Sequence, residues 1–354
     1  MKSRLFRILA VAPFLALAPL ANARNWYVNG MNGSDSNGCT SPTTACKTIK
    51  HAISLASSGD SVMVAAATYR ENLTIGISLK IIGSSASTTM IDGGYVNTVV
   101  TISNTNAHVL LSQVTIQNGA TFQGGGIYNN GILTITNSTV SGNIATAKGF
   151  CFGGGIYNNF GTVMINKSTI SGNSAAGFFL TGEGGGVYNS GTMTISNSTV
   201  SGNIARVGGG ISNGGRLAIN NSTISGNGAA FHGGGIEGSA TLQNSIVANS
   251  PKGGNCLGTM TSKGYNLSGD NTCNFHNSGD RNNTDPLLGA LQNNGGPTQT
   301  QALLPGSPAI DAGNPSGCTD SQGNLLKTDQ RGYPRHDPED TRGCDMGAYE
   351  RQSD

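Results

Sequence analysis

The chain has 354 residues, of which 54 are glycine, 6% are aromatic and 11% are charged, with a formal net charge of +2. That leaves no basic field to hold nucleic acid or anionic lipid. So little charge would suit a disordered chain, but regularly spaced β-branched residues among 36% apolar ones argue for a repeat fold that buries small side chains.

Residues 1–23 read as a secretory leader. Lys2, Arg4 and Arg7 precede an apolar run from Ile8 to Leu20, and Ala21-Asn22-Ala23 closes it as an A-x-A cleavage signature. Pro13 and Pro19 interrupt the run, which falls short of the roughly 20 residues a spanning helix needs. Cleavage after Ala23 and export are therefore expected, with no transmembrane segment left in the mature chain, whose net charge falls to −1.

An exported chain meets an oxidising compartment, where cysteines tend to pair. Seven are present, and their positions suggest Cys39 with Cys46, Cys256 with Cys273, and Cys318 with Cys344. Cys151, in the stretch Ala147 to Cys151, is left as an unpaired loop thiol. No C-x-x-C pair or clustered His accompanies these residues, so no metal site is expected among them.

Residues 24–60 form an N-terminal unit. Asn25 to Val28 read as a strand, and Ile49, Ala52, Ile53 and Ala56 fall at i, i+3, i+4 and i+7, predicting a helix of about three turns. A solenoid exposes strand edges and core at its end, so this helix is expected to plug the first coil. Trp26-Tyr27-Val28, Gly33-Ser34-Asp35, Thr48-Ile49, Ala52-Ile53, Gly59-Asp60-Ser61-Val62 and Thr68-Tyr69-Arg70-Glu71 resemble the opening of bacterial right-handed parallel β-helix proteins of the pectin-lyase-like superfamily. The resemblance departs at Ala67, where such chains usually carry glycine.

Residues 61–250 are expected to be the coils. From Gly124 the wording GGGIYNNGILTITNSTVSGN recurs with small changes at Gly153, Gly184, Gly208 and Gly233, at spacings of 29, 31, 24 and 25 residues. A unit of that length marks a solenoid. Alternation of apolar and polar residues, as in Leu133-Thr134-Ile135-Thr136, makes its elements strands. The fold class is then all-β, a right-handed parallel β-helix, with equivalent positions stacked about 4.8 Å apart. Ile135/Ile165/Ile195/Ile219, Val140/Ile170/Val200/Ile224 and Ile127/Ile156/Val187/Ile211/Ile236 are the predicted inward stacks. Asn143, Asn173, Asn203, Asn227 and Asn249 are expected to form an amide ladder at one corner. The Asn-x-Ser/Thr triplets at Asn137, Asn166, Asn197 and Asn221 are taken to share one register.

Residues 251–354 read as the last coils and a loop-rich C-terminal cap. Gly264-Tyr265-Asn266-Leu267, Thr284-Asp285-Pro286-Leu287-Leu288-Gly289, Leu304 to Gly313, Asp329-Gln330-Arg331-Gly332 and Cys344-Asp345-Met346-Gly347-Ala348-Tyr349-Glu350 resemble the choice-of-anchor Q domain of exported bacterial β-helix proteins. Salt bridges among Asp329, Arg331, Arg335 and Asp345 are expected to lock this segment over the last coil. Its acids, Asp311, Asp320, Asp329, Asp337, Glu339, Asp340, Asp345 and Glu350, are also the candidates for a calcium site. No other cofactor is expected.

Chemistry is sparse along the coils. A glycosidase needs two carboxyl groups about 5 to 9.5 Å apart, and between Asp92 and Asp270 the acids are Glu183 and Glu237. Their registers differ and they lie two coils apart, so they are not expected on one face. His232 with Glu237, or Arg206 and Arg216 as lyase bases, are the basic candidates, although lone polar residues on a coil surface are usually only solvated. The positive surface feature is a stripe of Tyr128, Tyr157 and Tyr188 with Asn129, Asn158 and Asn189, a candidate glycan surface since sugars are held by aromatic faces and amides, although stacked tyrosines also stabilise neighbouring strands with no ligand at all. The favoured reading is a non-catalytic extracellular or cell-surface adhesion protein that binds polysaccharide or surface glycans through this stripe. A polysaccharide lyase or glycoside hydrolase of the same fold is the alternative, and a passive structural surface protein a third.

Overall fold

The computed structural model describes residues 23–177, 182–320, 322–335 and 343–352. The expected leader lies outside them except for Ala23, as do Asp337, Glu339 and Asp340. The fold is all-β. Strands follow one another in chain order and pair in parallel in a ten-stranded sheet from Asn25–Val28 to Met260–Ser262. A nine-stranded sheet from Ala67–Arg70 to Leu267–Ser268 and an eight-stranded sheet from Leu73–Ile75 to Cys256–Leu257 are built the same way. A seven-stranded sheet begins at Ala120–Thr121 and reaches Gly228–His232. Among the described residues no helix is long and apolar enough to cross a membrane.

The three apolar stacks stand in the predicted registers, and no member is more than 1% exposed. Three polar ladders run beside them. Asn143 Nδ2 donates to Asn173 Oδ1 at 3.0 Å, Asn173 to Asn203 at 3.0 Å and Asn203 to Asn227 at 2.9 Å. Each receiving oxygen also accepts the backbone N–H of the preceding asparagine. A serine ladder does the same work, Ser138, Ser168 and Ser198 donating their N–H to the hydroxyls of Ser168, Ser198 and Ser222. Asn129, Asn158, Asn189 and Asn213 form the third.

Two register expectations are corrected. Asn249 is exposed and outside the ladder, which ends at Asn227. The corner with positive φ is held by Asn137, Lys167, Asn197, Asn221 and Asn244, and Asn166 lies one residue earlier, paired with Thr136. The Gly-Gly-Gly corners are needed twice over. Gly153 has φ +64, and a Cβ on Gly154 would come within 2.5 Å of the Gly185 carbonyl of the next coil.

The helix is Ile49–Leu55, seven residues and so two turns, because Ala56 is already extended and Ser57 turns onto the Asp60 carboxylate. Glu71 accepts the Ile49 and Lys50 N–H groups and so fixes the helix to the coil. Ile49 and Ala52 are fully buried. At the other end the Cys256–Cys273 disulfide and Phe275, 1% exposed, close the core.

The C-terminal segment packs on the last coils, with Leu303, Ala309 and Met346 buried against Ile246, Ala248 and Leu267. It also reaches further than expected, running back along the flank as a strap. Thr169 Oγ1 donates to the Gln299 carbonyl at 2.6 Å, Thr199 Oγ1 to Gln330 Oε1 at 2.7 Å, and Asn221 Nδ2 to the Thr319 carbonyl at 2.7 Å. The strap's ion pairs include Arg331 with Asp329 at 2.8 Å and Arg335 with Glu350 at 3.0 Å. Asp345 accepts the Asp311 and Arg351 N–H groups.

The disulfides Cys39–Cys46, Cys256–Cys273 and Cys318–Cys344 are all formed. Cys151 is no loop thiol. It opens the strand Cys151–Phe152 and is fully buried against Ala145, Ala175 and Ala205, and burial pushes its pKa up to about 11. Since only the thiolate is reactive, native protein at pH 8 should resist iodoacetamide. Denatured, unreduced protein should take up one equivalent by mass spectrometry. Rapid labelling of the native form would mean that Cys151 is not in the core.

The amide ladder should carry stability. Asn173→Ala strands the backbone N–H of Asn143, removes the amide-to-amide bonds on both sides of Asn173 and should cost about 2–4 kcal/mol. Met164→Thr, at an outward position 44% exposed, should cost less than ~0.5 kcal/mol. Equal losses in thermal melts would show that the ladder does not hold the coils.

Candidate functional site

The strand Ile127–Asn129 alternates in and out, so Ile127 and Asn129 are fully buried and Tyr128 faces outward. Parallel pairing then lines up Tyr128, Tyr157, Tyr188, Ser212, Glu237 and Leu257 as one outward row. Neighbouring tyrosine ring centroids are 5.3 and 5.4 Å apart. Tyr157, in the middle, is only 9% exposed.

The amide half of the predicted stripe is corrected by the same alternation. Asn129, Asn158 and Asn189 are each 0% exposed and bond one another inside the coil, so they cannot touch a ligand. The amides beside the rings are Asn130 and Asn159. Asn159 Nδ2 donates to the Tyr128 hydroxyl at 3.0 Å and to Asn130 Oδ1 at 2.8 Å, and its own Oδ1 accepts the Tyr157 hydroxyl at 3.2 Å.

A second row runs alongside, formed by Phe152, Glu183, Val207 and His232. The glycine corner that follows each of these strands folds the two rows together. Phe152 lies 4.7 Å from Tyr188 and 6.1 Å from Tyr157, ring to ring, and Phe150 stacks on Phe152 at 6.2 Å. One coil further on, the same offset brings Glu183 to Ser212.

The expectation that Glu183 and Glu237 stand on different faces is therefore wrong. The Ser212 hydroxyl, in a residue 1% exposed, lies 2.8 Å from Glu237 Oε2 and 3.4 Å from Glu183 Oε2. The two oxygens are no further apart than these two contacts laid end to end. One hydroxyl proton serves only one acceptor at a time, so the Ser212 hydroxyl donates to Glu237 or to Glu183 but not to both at once. Tyr188 lies at the edge of the pair. Its hydroxyl pKa is raised, first by burial and then by Glu183, Tyr157 and Glu237. Burial also raises that of Tyr157.

The basic candidates divide. His232 shares the row of Glu183, and its Nδ1 is buried with no hydrogen-bond partner. Arg206 alternates with Val207 to the opposite side of its strand, where its guanidinium lies 5.7 Å from the Phe231 ring centroid. Arg216 opens a strand of the ten-stranded sheet, on another face.

Of the candidate tail acids, three are engaged by protein donors, whereas Asp311 Oδ1 is buried with no partner. Asp329 accepts the Arg331 guanidinium and the N–H groups of Arg331, Gly332, Tyr333 and Glu350. Glu350 binds Arg335 and the Asp345 N–H, and Asp320 caps its own turn. Calcium coordination needs six to eight oxygen ligands, and the carboxylate oxygens of Asp329, Glu350 and Asp320 already have donors.

No family model matches the sequence, and no curated protein matches it. Among solved structures the chain is similar to the pectin methylesterase from Aspergillus niger, at 15% identity and a TM-score of 0.43 over 71% of this chain and 86% of that one. It is similar to a pectate lyase at 16% identity and a TM-score of 0.42, covering 93% of this chain and 96% of that one.

The electrostatics can be read in solution. Ultraviolet titration of Tyr157→Phe and Tyr188→Phe should each remove a phenol that titrates above the ordinary tyrosine range. With Glu183→Gln and Glu237→Gln together, the Tyr188 transition should move down in pH, because two negative charges that oppose ionisation are gone. An unmoved transition would place the carboxylates away from Tyr188.

Proposed function

We propose that the protein is an exported polysaccharide-active enzyme, a glycoside hydrolase in reaction type. Glu183 and Glu237 are its acid and base, and the Tyr128–Tyr157–Tyr188 row with Phe150 and Phe152 is its chain-binding platform. The observation that carries this reading is the convergence of both carboxylates on Ser212 at the foot of the aromatic row. Hydrolysis of a glycosidic bond asks for one carboxyl group to protonate the leaving oxygen and a second to activate water or attack the sugar. Rings and flanking amides present the apolar and polar contacts that sugars need. Ser212 is a positioning residue, too buried to meet substrate. Three disulfides suit the oxidising exterior that the leader implies. The choice-of-anchor Q resemblance enters as part of this proposal: Asp329-Gln330-Arg331-Gly332 and Cys344 to Glu350, the motifs that carry it, make the buried contacts of the strap.

The test is reducing-end release from a panel of polysaccharides. Glu183→Gln and Glu237→Gln should each lower kcat by about 100-fold or more, while truncating Tyr128 and Tyr188 to Ala should act mainly on KM. Wild-type turnover that survives both Gln variants would defeat the assignment. Glycan binding without turnover would return the protein to the adhesion reading, and neither binding nor turnover would leave a structural role.

A further inference from the structure

We infer that the glycan this groove accepts is an uncharged chain rather than a polyuronate, which rests on the assignment of the acid pair above. The two rows that form the groove hold Tyr128, Tyr157, Tyr188, Ser212 and Glu237 on one side and Phe152, Glu183, Val207 and His232 on the other. Two carboxylates stand in them and no lysine or arginine does. The cations nearest along the chain are placed elsewhere: Arg206 lies on the far side of its strand against Phe231, Arg216 is in the ten-stranded sheet on another face, Lys167 donates to Thr328 of the strap, and Lys148 and Lys252 are exposed in turns.

A polyuronate carries one negative charge per sugar. Laid along these rows it would bring its carboxylates against Glu183 and Glu237 with no lysine or arginine between them, and like charges so placed repel most where water is excluded. The rest of the lining suits a chain that offers only hydroxyls and C–H faces. The tyrosine and phenylalanine rings give apolar surface, and the half-buried Asn130, Asn159 and Ser190 along the row's edge give neutral donors and acceptors. A site built for a polyanion would use arginine or lysine at those places.

The experiment measures binding of the full, disulfide-bonded protein to polygalacturonate and to uncharged soluble glucan, mannan and xylan of matched length, at low and high salt. At least one uncharged chain should bind ~10-fold or more tightly than polygalacturonate at low salt, and screening by salt should strengthen the weak polygalacturonate binding. The Glu183→Gln, Glu237→Gln double variant should gain affinity for polygalacturonate and not for the uncharged chain. Polygalacturonate binding that equals or exceeds that of every uncharged chain, and weakens with salt, would overturn the inference. If that chain were then cleaved in a Glu183- and Glu237-dependent way, the hydrolase assignment would stand without it. Failure of every chain to bind would overturn both.

Discussion

One asparagine amide bonding the next is the contact on which the other features rest. A parallel coil repeats about every 4.8 Å, and an amide that both donates and accepts can bridge that step while its oxygen also takes a backbone N–H at the corner. Asn143, Asn173, Asn203 and Asn227 do this at one corner, and Asn129, Asn158, Asn189 and Asn213 at another. Corners of this kind carry N–H and C=O groups that a strand ladder cannot satisfy, and burying them unpaired is costly. With the corners fixed, the side between them has a fixed register, and the outward row follows.

The acid pair arises where that regularity breaks. The coils starting at Gly124 and Gly153 are long, 29 and 31 residues, and each sends one short strand out and another back beside its glycine corner. The next coils are 24 and 25 residues, and a single strand, Ile204–Val207, pairs with both the outgoing Ser174–Gly177 and the returning Gly182–Glu183. Where Phe152 on the preceding long coil leans on a tyrosine, Glu183 meets the small Ser212, and behind it Glu237. A change of coil length thus turns an aromatic platform into an acidic one.

Much of the scaffold was legible because strand alternation and repeat spacing determine each other. The three apolar stacks and the disulfide partners could be read directly from positions in the sequence. The same alternation, applied one residue further, puts Asn129 inside once Ile127 is inside, so the amide stripe was readable and was placed on the wrong face. Glu183 and Glu237 were harder. Their closeness depends on the offset between two adjacent sheets and on the small side chain of Ser212, neither of which leaves a periodic signal. The reach of the strap beyond the last coils was hard to read for a similar reason: nothing in Arg335 or Gln330 tells which of several equivalent coils they will meet.

The strap has a consequence for how the chain can vary in length. Coils that touch only their neighbours can be gained or lost one at a time, which is how repeat proteins grow. Here Lys167, Thr169, Asn197, Thr199, Asn221, Thr223 and Asn244 are each matched to particular residues between Gln299 and Ala348. Deleting a coil from this span would slide every later match by one rise and leave Arg335 facing a different corner, with Glu350 buried beside it. The span from Lys167 to Asn244 behaves as a ruler whose number of divisions is set by the tail that lies against it.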